Sequence, residues 1–421
     1  MFRIIRNKLF YIIFELAVKL RSIKLTSYLI FISLRPLTGI KKTYSNRKLI
    51  ILEKSIGIDD VRLCYSKTKI KFQPYVLQRR LLKIIFDQFL KGVHEHYYMK
   101  NNKQTEGKKK DLRLHYTKIL RELKKIFKVD IIINFNWLYG PERELQYACK
   151  NNNIKFITHQ KESNVLDGEK PLYYKLFLKN LGIYNGDLML VYSKRYADFL
   201  IESKVVKKNQ IKVIGVPRAD KLFDKKINFK QKHILFFLMQ SQRGIFAPDK
   251  KALKFWEETT LLAVKSTLKI AKKFPDVKFI FKSKNINRDD INKQIKIIND
   301  SNLKNCEIIK GGQSFNYIKD SKAVIGFNSI SILEGVGCRK KTIVPYFNLN
   351  NEFKKKNVMK LSQPVLMAKN VKQFKYYLEK IIKSKPYRIN LDQQSKNLLE
   401  YHMGNSDGKS YKRFANIINN I

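Results

Sequence analysis

Short β-branched runs separated by helix-length segments recur along this chain, and nothing else in it restricts the fold so strongly. They stand at residues 48–52, 130–134, 154–158, 188–192 and 211–214. Strands that alternate with helices pair in parallel, because each crossover returns the chain to the same end of the sheet, and the helices then cover both faces. A polar connector at 224–232 closes this series, and a second follows at 233–239, 277–282, 306–309, 323–326 and 342–345. A long helix is expected over 250–274, and largely helical chain from 370 to 421, broken at Lys385-Pro386 and at 404–408. The expectation is an α/β protein of two tandem Rossmann-like doubly wound domains facing across a cleft. Their expected limits are 48–228 and 229–390, with an amphipathic, basic helical segment at 1–47 and a helical segment at 391–421. In such sheets ligands bind beyond the carboxyl ends of the strands.

With 421 residues, 44% of them apolar and 12% aromatic, the chain can fill more than one core, which excludes a disordered basic tail. Its 86 Lys and Arg against 35 Asp and Glu give a net charge of +51. That charge suits polyanionic partners: a nucleotide diphosphate, an acidic glycan, anionic lipid or nucleic acid. The lysines are spread along the whole chain, and runs such as 108–110 and 354–356 read as solvated faces. The stretch 97–111, lysine-rich and without apolar periodicity, is expected to be an exposed loop. Cys64, Cys149, Cys306 and Cys338 are scattered and never spaced C-x-x-C, so neither a disulfide framework nor a zinc site is indicated. A reducing, cytoplasmic setting is expected.

At the N-terminus Ile5, Leu9, Ile12, Ile13, Leu16 and Leu20 fall within one helical stripe about 100° wide, the arc of a helix with one buried face. Such a stripe can dock on a protein core or on lipid. Charges at Arg3, Arg6, Lys8, Glu15, Lys19 and Arg21 interrupt the apolar run, and the next one, 25–34, stops at Arg35-Pro36. Neither reaches the ~20 apolar residues of a spanning helix. A peripheral contact on the inner face of the membrane therefore stands beside an ordinary packed helix. No small-residue cleavage site marks a signal peptide.

The segment 323–345, Ala-Val-Ile-Gly-Phe-Asn-Ser-Ile-Ser-Ile-Leu-Glu-Gly-Val-Gly-Cys-Arg-Lys-Lys-Thr-Ile-Val-Pro, carries the most chemistry. A buried strand ends at Gly326, and Asn328 or Ser329 stands where an N-cap belongs. Ser329, Ser331 and the first N–H groups of the new helix can cradle a diphosphate, because a helix N-terminus offers unsatisfied donors and a positive dipole end. Glu334, one to two turns on, is placed to accept hydrogen bonds from ribose hydroxyls. Read more plainly, Asn-Ser is a cap and Glu334 complements the helix dipole.

This strand, its Gly-Phe-Asn-Ser turn, the following Leu-Glu and the later Lys-Thr-Ile-Val-Pro resemble the nucleotide-sugar half of GT-B glycosyltransferase-like proteins of bacterial surface-carbohydrate (capsule and lipopolysaccharide) biosynthesis, relatives of CDP-glycerol glycerophosphotransferases. Three further pieces agree in order and spacing. Ile211-Lys-Val-Ile-Gly-Val-Pro-Arg-Ala-Asp220 resembles the Gly-x-Pro-Arg-x-Asp run that closes the first domain. Phe279-Ile-Phe-Lys-Ser-Lys284 is similar to a strand ending in a lysine near the donor phosphates, and Gly404-Asn-Ser-Asp-Gly-Lys-Ser-Tyr-Lys-Arg413 to an Asp-Gly turn before the last helix. The resemblance runs from residue 130 to 415 and implies that the second domain holds an activated sugar and the first an acceptor.

On that basis the donor residues are Arg243, Lys282, Lys284, Gln313, Ser314, Asn328, Ser329, Ser331 and Glu334. Arg243 clamps a diphosphate bidentately, the lysines add point charges, and the Gly-Gly-Gln-Ser turn at 311–314 meets base or ribose. His159 and Glu162, just past a first-domain strand, are the catalytic pair: the imidazole takes the acceptor hydroxyl proton and Glu162 orients it or acts in its place. Asn136, Trp137 and Glu144 lie around a strand-to-helix turn with Pro141 at a first helical position, and meet the acceptor sugar. Each has a plainer reading, as a loop histidine, a core tryptophan or a solvated lysine.

Absences narrow the reaction. No D-x-D occurs, which disfavours a metal-dependent GT-A enzyme, and no G-x-G-x-x-G, H-E-x-x-H or G-x-S-x-G occurs. Seven residues beyond Glu334 stands Lys341, so the paired glutamates of many retaining GT-B enzymes are missing and inversion is favoured. The expected function is a glycosyltransferase that uses a nucleotide-activated sugar to build surface polysaccharide or lipopolysaccharide, with no required metal or other cofactor. The alternatives are a CDP-glycerol-type glycerophosphotransferase, a nucleotide-sugar epimerase, which needs no acceptor, and, from another class, a non-catalytic basic scaffold or nucleic-acid-binding protein. Expected partners are the nucleotide-sugar donor, a glycan or lipid-linked acceptor and an anionic membrane surface, with no specific nucleic acid.

Overall fold

The computed structural model describes residues 2–40, 45–53, 55–93, 103–161, 183–224, 230–240, 250–285, 287–349, 358–386, 391–404 and 407–421. The chain divides after Asp220: described residues before that point, together with 409–421, form one compact unit, and described residues 221–408 form another.

The first unit contains α1 (Phe2–Lys19), α2 (Ile23–Ser33), β1 (Arg35–Pro36), β2 (Lys48–Leu52), α3 (Ser55–Lys67), β3 (Gln73–Leu77), α4 (Arg79–Leu90), α5 (Lys103–Phe127), β4 (Val129–Asn134), α6 (Gly140–Asn151), β5 (Lys155–His159), β6 (Leu188–Val191), α7 (Lys194–Glu202) and β7 (Ile211–Val213). Its sheet runs β1-β3-β2-β4-β5-β6-β7 and is parallel except at the β1–β3 pair. The centre of β2 shows why the sequence folds this way. Ile50 pairs with Tyr75 on one side and Ile132 on the other, and Leu49, Ile50 and Ile51 are fully buried, so an unbroken apolar run is required there. Where the order turns, between β2 and β4, α3 closes on the end of β4. Gly57 makes this possible, since a Cβ there would stand 2.2 Å from the Phe135 ring.

The second unit contains β8 (His233–Phe237), α8 (Lys250–Lys273), β9 (Lys278–Ser283), α9 (Asp289–Asp300), β10 (Cys306–Lys310), α10 (Ser314–Lys319), β11 (Ser321–Ile325), α11 (Ile330–Gly337), β12 (Lys341–Val344), β13 (Val365–Met367), α12 (Val371–Lys383) and α13 (Gln393–Met403). All its strand pairs are parallel, in the order β10-β9-β8-β11-β12-β13. This is the strand order of mononucleotide-binding sheets, and it reverses between β8 and β11. Gly335 and Gly337 do not open a helix; they let α11 settle on its neighbours. A Cβ on Gly337 would stand 2.7 Å from Leu222, and one on Gly335 would stand 3.1 Å from Thr342 Oγ1. Each unit is thus a Rossmann-like α/β layer structure, as the alternation of strands and helices requires.

The chain then returns to the first unit. In α14 (Ser410–Asn419), Phe414, Ala415 and Ile418 join Val61, Cys64 and Tyr65 in the first core. Asp220, the last residue of the Gly-x-Pro-Arg-x-Asp run, accepts hydrogen bonds from the Ser410 and Tyr411 N–H groups at 3.1 and 2.9 Å, and Arg413 Nε donates to Ile214 O at 2.9 Å. The run at 211–220 and the start of α14 at 410–413 therefore meet as one latch.

Three expectations change. Residues 103–111, read as loop, open α5, because Lys, Gln and Glu are strong helix formers and an exposed helical turn needs no apolar period; 97–102 lie outside the described residues. The strands β1, β3 and β13 had no clear signal: the first and last span two and three residues, and β3 carries Pro74. On α1, the apolar stripe from Leu9 to Leu20 faces solvent, and the buried side is made of Phe14, Ala17 and Val18.

Candidate functional site

In the second unit the turn after β11 occupies the switch point of the sheet. Ser329 is the N-cap of α11: its backbone is extended (φ −140°, ψ 144°) and its Oγ accepts from Ser331 N at 3.3 Å. Asn328 is buried, with its Oδ1 accepting from the Tyr346 hydroxyl at 2.5 Å and from Met359 N at 3.0 Å, so its amide shapes the turn from beneath. Ser329, Ser331 and Glu334 are half-buried and reach solvent. The helix end they surround offers N–H donors and a positive dipole to an anion.

On the other side of β8, the ends of β9 and β10 gather a second group. Lys282 Nζ donates to Gly311 O and lies 5.5 Å from the Tyr317 ring centroid. Burial lowers the Lys282 pKa from the ordinary lysine value. Gly311 and Gly312 have φ of +72° and +75°, a conformation that costs glycine nothing, and the turn they make presents Gln313 and Ser314. Lys284 is exposed, and the neighbouring Ser283 Oγ is buried without a hydrogen-bond partner among the described residues. The structure thus brings Lys282, Lys284, Gln313 and Ser314 to the ends of β9 and β10, and Asn328, Ser329, Ser331 and Glu334 to the end of β11. Arg243 lies outside the described residues.

The first unit is built differently at its strand ends. Asp60 of α3, wholly buried, accepts from Arg218 N at 2.9 Å, from Arg218 Nη1 at 2.8 Å and from the Tyr192 hydroxyl at 3.3 Å. His159, the last residue of β5, is also wholly buried, with Nε2 3.9 Å from Asp60 Oδ2 and its ring against Phe135, Tyr192 and Phe414. Among the described residues neither ring nitrogen has a hydrogen-bond partner. Burial pulls its pKa down to about 4, against the pull of Asp60, so the imidazole is neutral at pH 7. The expected place just outside the strand is corrected: His159 is a core histidine inside it. Glu162 lies outside the described residues.

Beside this cluster, Asn134 Nδ2 donates to Glu142 Oε2 at 2.6 Å, Glu142 pairs with Arg79, and Glu144 Oε2 accepts from Arg113 Nε at 2.7 Å. Asn136 Oδ1 accepts from Leu138 N at 2.9 Å, and Trp137 N donates to Gln160 Oε1 at 3.2 Å. Asn136, Trp137 and Glu144 lie along the same strand-to-helix turn and the helix after it, and all three are buried. Sequence reasoning missed Asp60, Arg79, Arg113, Glu142 and Tyr192. The one available signal was Arg218, since an arginine drawn into a protein core needs an anionic partner. Among the described residues no cluster of His, Cys, Asp and Glu is placed to hold a metal, and no helix is long and apolar enough to cross a membrane.

No protein-family model and no curated protein matches this chain. Solved structures do. The UDP-GlcNAc 2-epimerase of Methanocaldococcus jannaschii is 13% identical with a TM-score of 0.53, covering 89% of this chain and 99% of its own. The UDP-GlcNAc 2-epimerase of Neisseria meningitidis, bound to UDP-GlcNAc, is 13% identical with a TM-score of 0.51 over 89% of this chain and 100% of its own. Staphylococcus aureus MnaA, in a co-structure with UDP, gives 13% identity and a TM-score of 0.51 over 88% and 95%. At such identities the likeness shows the fold, a GT-B-like pair of Rossmann units. It also corrects the expected activity. The Methanocaldococcus and Neisseria structures are named for epimerisation of a nucleotide sugar, which needs no acceptor, and not for glycosyl transfer or for CDP-glycerol chemistry. The acceptor roles assigned to His159, Asn136, Trp137 and Glu144 go with that reading.

Proposed function

We propose that this chain binds a UDP-sugar in its second unit and epimerises it, in the manner of a UDP-GlcNAc 2-epimerase. The observation that carries the proposal is the turn from β11 into α11. It sits at the switch point of a sheet with the nucleotide-binding strand order, where a diphosphate meets a helix N-terminus. The whole-chain likeness to structures bearing UDP and UDP-GlcNAc supports the choice of nucleotide. In this reading Ser329, Ser331 and the first N–H groups of α11 hold the diphosphate, and Glu334 accepts from the ribose hydroxyls. Lys282, Lys284, Gln313 and Ser314 complete the polar surround at the ends of β9 and β10. Their positive field offsets the phosphate charge.

The test has two readouts. UDP and UDP-GlcNAc should raise the melting midpoint, by linkage about 2.7 kcal/mol at a hundredfold excess over Kd, and Glu334→Ala should abolish most of that rise. Epimerisation at C2 should then exchange the proton on that carbon, seen by NMR as deuterium entering UDP-GlcNAc in D2O. An equal response to UDP, CDP, GDP and inorganic polyphosphate would reduce the site to net charge. Selective UDP binding with no exchange at C2 would retain the nucleotide site and remove the epimerase.

A further inference from the structure

The N-terminal helix pair is apolar on the wrong side for a protein surrounded only by water. The inner face of α1 is accounted for: Phe14, Ala17 and Val18 are buried, the Tyr11 hydroxyl bonds Gln78, and the Arg80 guanidinium lies 4.0 Å from the Tyr11 ring. The outer face carries Leu9, Ile12, Ile13, Leu16 and Leu20, which at 100° per residue fall within an arc of about 100°. On α2, Leu25, Tyr28 and Ile32 follow at i, i+3 and i+7, one stripe of that helix. All eight are between 38% and 77% exposed. Single exposed leucines need no explanation, but eight large apolar side chains on two consecutive helices mark a surface that something covers.

Charge says what covers it. Lys8, Lys19, Arg21 and Lys24 are exposed on the same helices and the turn between them, and Lys8 and Lys19 lie along one edge of the apolar arc. Glu15 is the single acidic residue before Glu53. A second copy of the chain would bring these cations against themselves, with +51 on each side of the contact. A bilayer with anionic headgroups receives both parts: the apolar arc enters the boundary of the acyl chains and the cations meet the headgroups. Tyr28, half apolar and half polar, suits the depth between them.

We infer that the outer face of α1 and α2 seats this protein on an anionic phospholipid surface. The seat is independent of the nucleotide reading, since it uses no residue of the second unit. The test is flotation of the full chain with phosphatidylcholine vesicles, with and without phosphatidylglycerol. The wild type should float with the mixed vesicles and not with phosphatidylcholine alone. Leu16→Glu with Leu20→Glu should lower the bound fraction at least about tenfold, since two fully desolvated leucines are lost. Lys19→Glu with Lys24→Glu should weaken binding and make it fall earlier with added salt. The four positions are exposed, and unchanged circular dichroism with an unchanged melting midpoint shows that each variant is folded. Wild-type protein that stays at the bottom with phosphatidylglycerol overturns the inference, as does a Leu16→Glu, Leu20→Glu variant that floats like wild type. A dimer in sedimentation that this variant abolishes gives the face to a second copy instead.

Discussion

At the strand ends of the first sheet polar side chains bond one another inside the protein, whereas at those of the second the buried Asn328 and Lys282 lie beside Ser329, Ser331, Glu334 and Gln313, which reach solvent. Asp60, Tyr192 and Arg218 satisfy each other, and so do Asn134, Glu142 and Arg79. In the second unit Ser329, Ser331, Glu334 and Gln313 surround helix ends that water still touches. The same kinds of residue at the same place in the same kind of sheet thus serve two ends. Groups that are buried and mutually paired fix geometry and resist removal, while groups that reach water can exchange it for a ligand. Substitution in the first unit should cost stability, and substitution in the second should cost ligand response.

The largest effect is expected at Arg218. Arg218→Ala leaves Asp60 wholly buried without its guanidinium, and a broken pair of this kind costs about 3–5 kcal/mol in urea denaturation. Asp60→Asn should cost less, because the Arg218 side chain is 24% exposed and can recover water. Equal, small losses in both variants would break the contrast between the units.

Next comes pH. The unfolded chain protonates His159 near 6.5 and the folded chain only near 4, so the neutral form is the one folding favours. The stability it contributes is full above pH 6.5 and is lost as pH falls toward 4, about 3 kcal/mol across that window. His159→Phe, which keeps a ring among Phe135, Tyr192 and Phe414, should flatten the melting curve against pH over that range. An unchanged slope would mean that some other group carries the acid sensitivity.

The smallest effect sharpens the comparison from the other side. Ser331→Ala should leave the unliganded urea midpoint within about 0.5 kcal/mol of wild type, yet reduce the stabilisation given by UDP. A loss of more than that without ligand would make the second site as structural as the first.

What the sequence showed followed from how local the signal is. The strands at 48–52 and 323–326 were legible because a buried parallel strand is an unbroken or nearly unbroken apolar run. The turn at 326–329 was legible because a strand, a glycine and a capping serine stand side by side in the chain. The cluster of Asp60, His159, Tyr192 and Arg218 was not, since its members come from four separate elements and only folding brings them together. His159 shows the limit best. Its position at the end of β5 was evident, but its burial depends on Phe414, more than two hundred residues away. The choice between transferase and epimerase was hidden for another reason: a shared architecture carries the same phosphate turn whatever is done to the sugar.

The return of α14 to the first unit has a consequence for how the chain is made. Phe414, Ala415 and Ile418 belong to a core whose other members lie before residue 220, and Asp220 waits for Ser410 and Tyr411. Residues 221–408 must be synthesised in between, which at about 5–20 residues per second takes about 10–40 s. During that interval the nascent first unit exposes an apolar groove along α3 while the second unit can already close on itself. The half made first is the half finished last, and a chain that stops after residue 408 carries a complete second unit attached to an open first one.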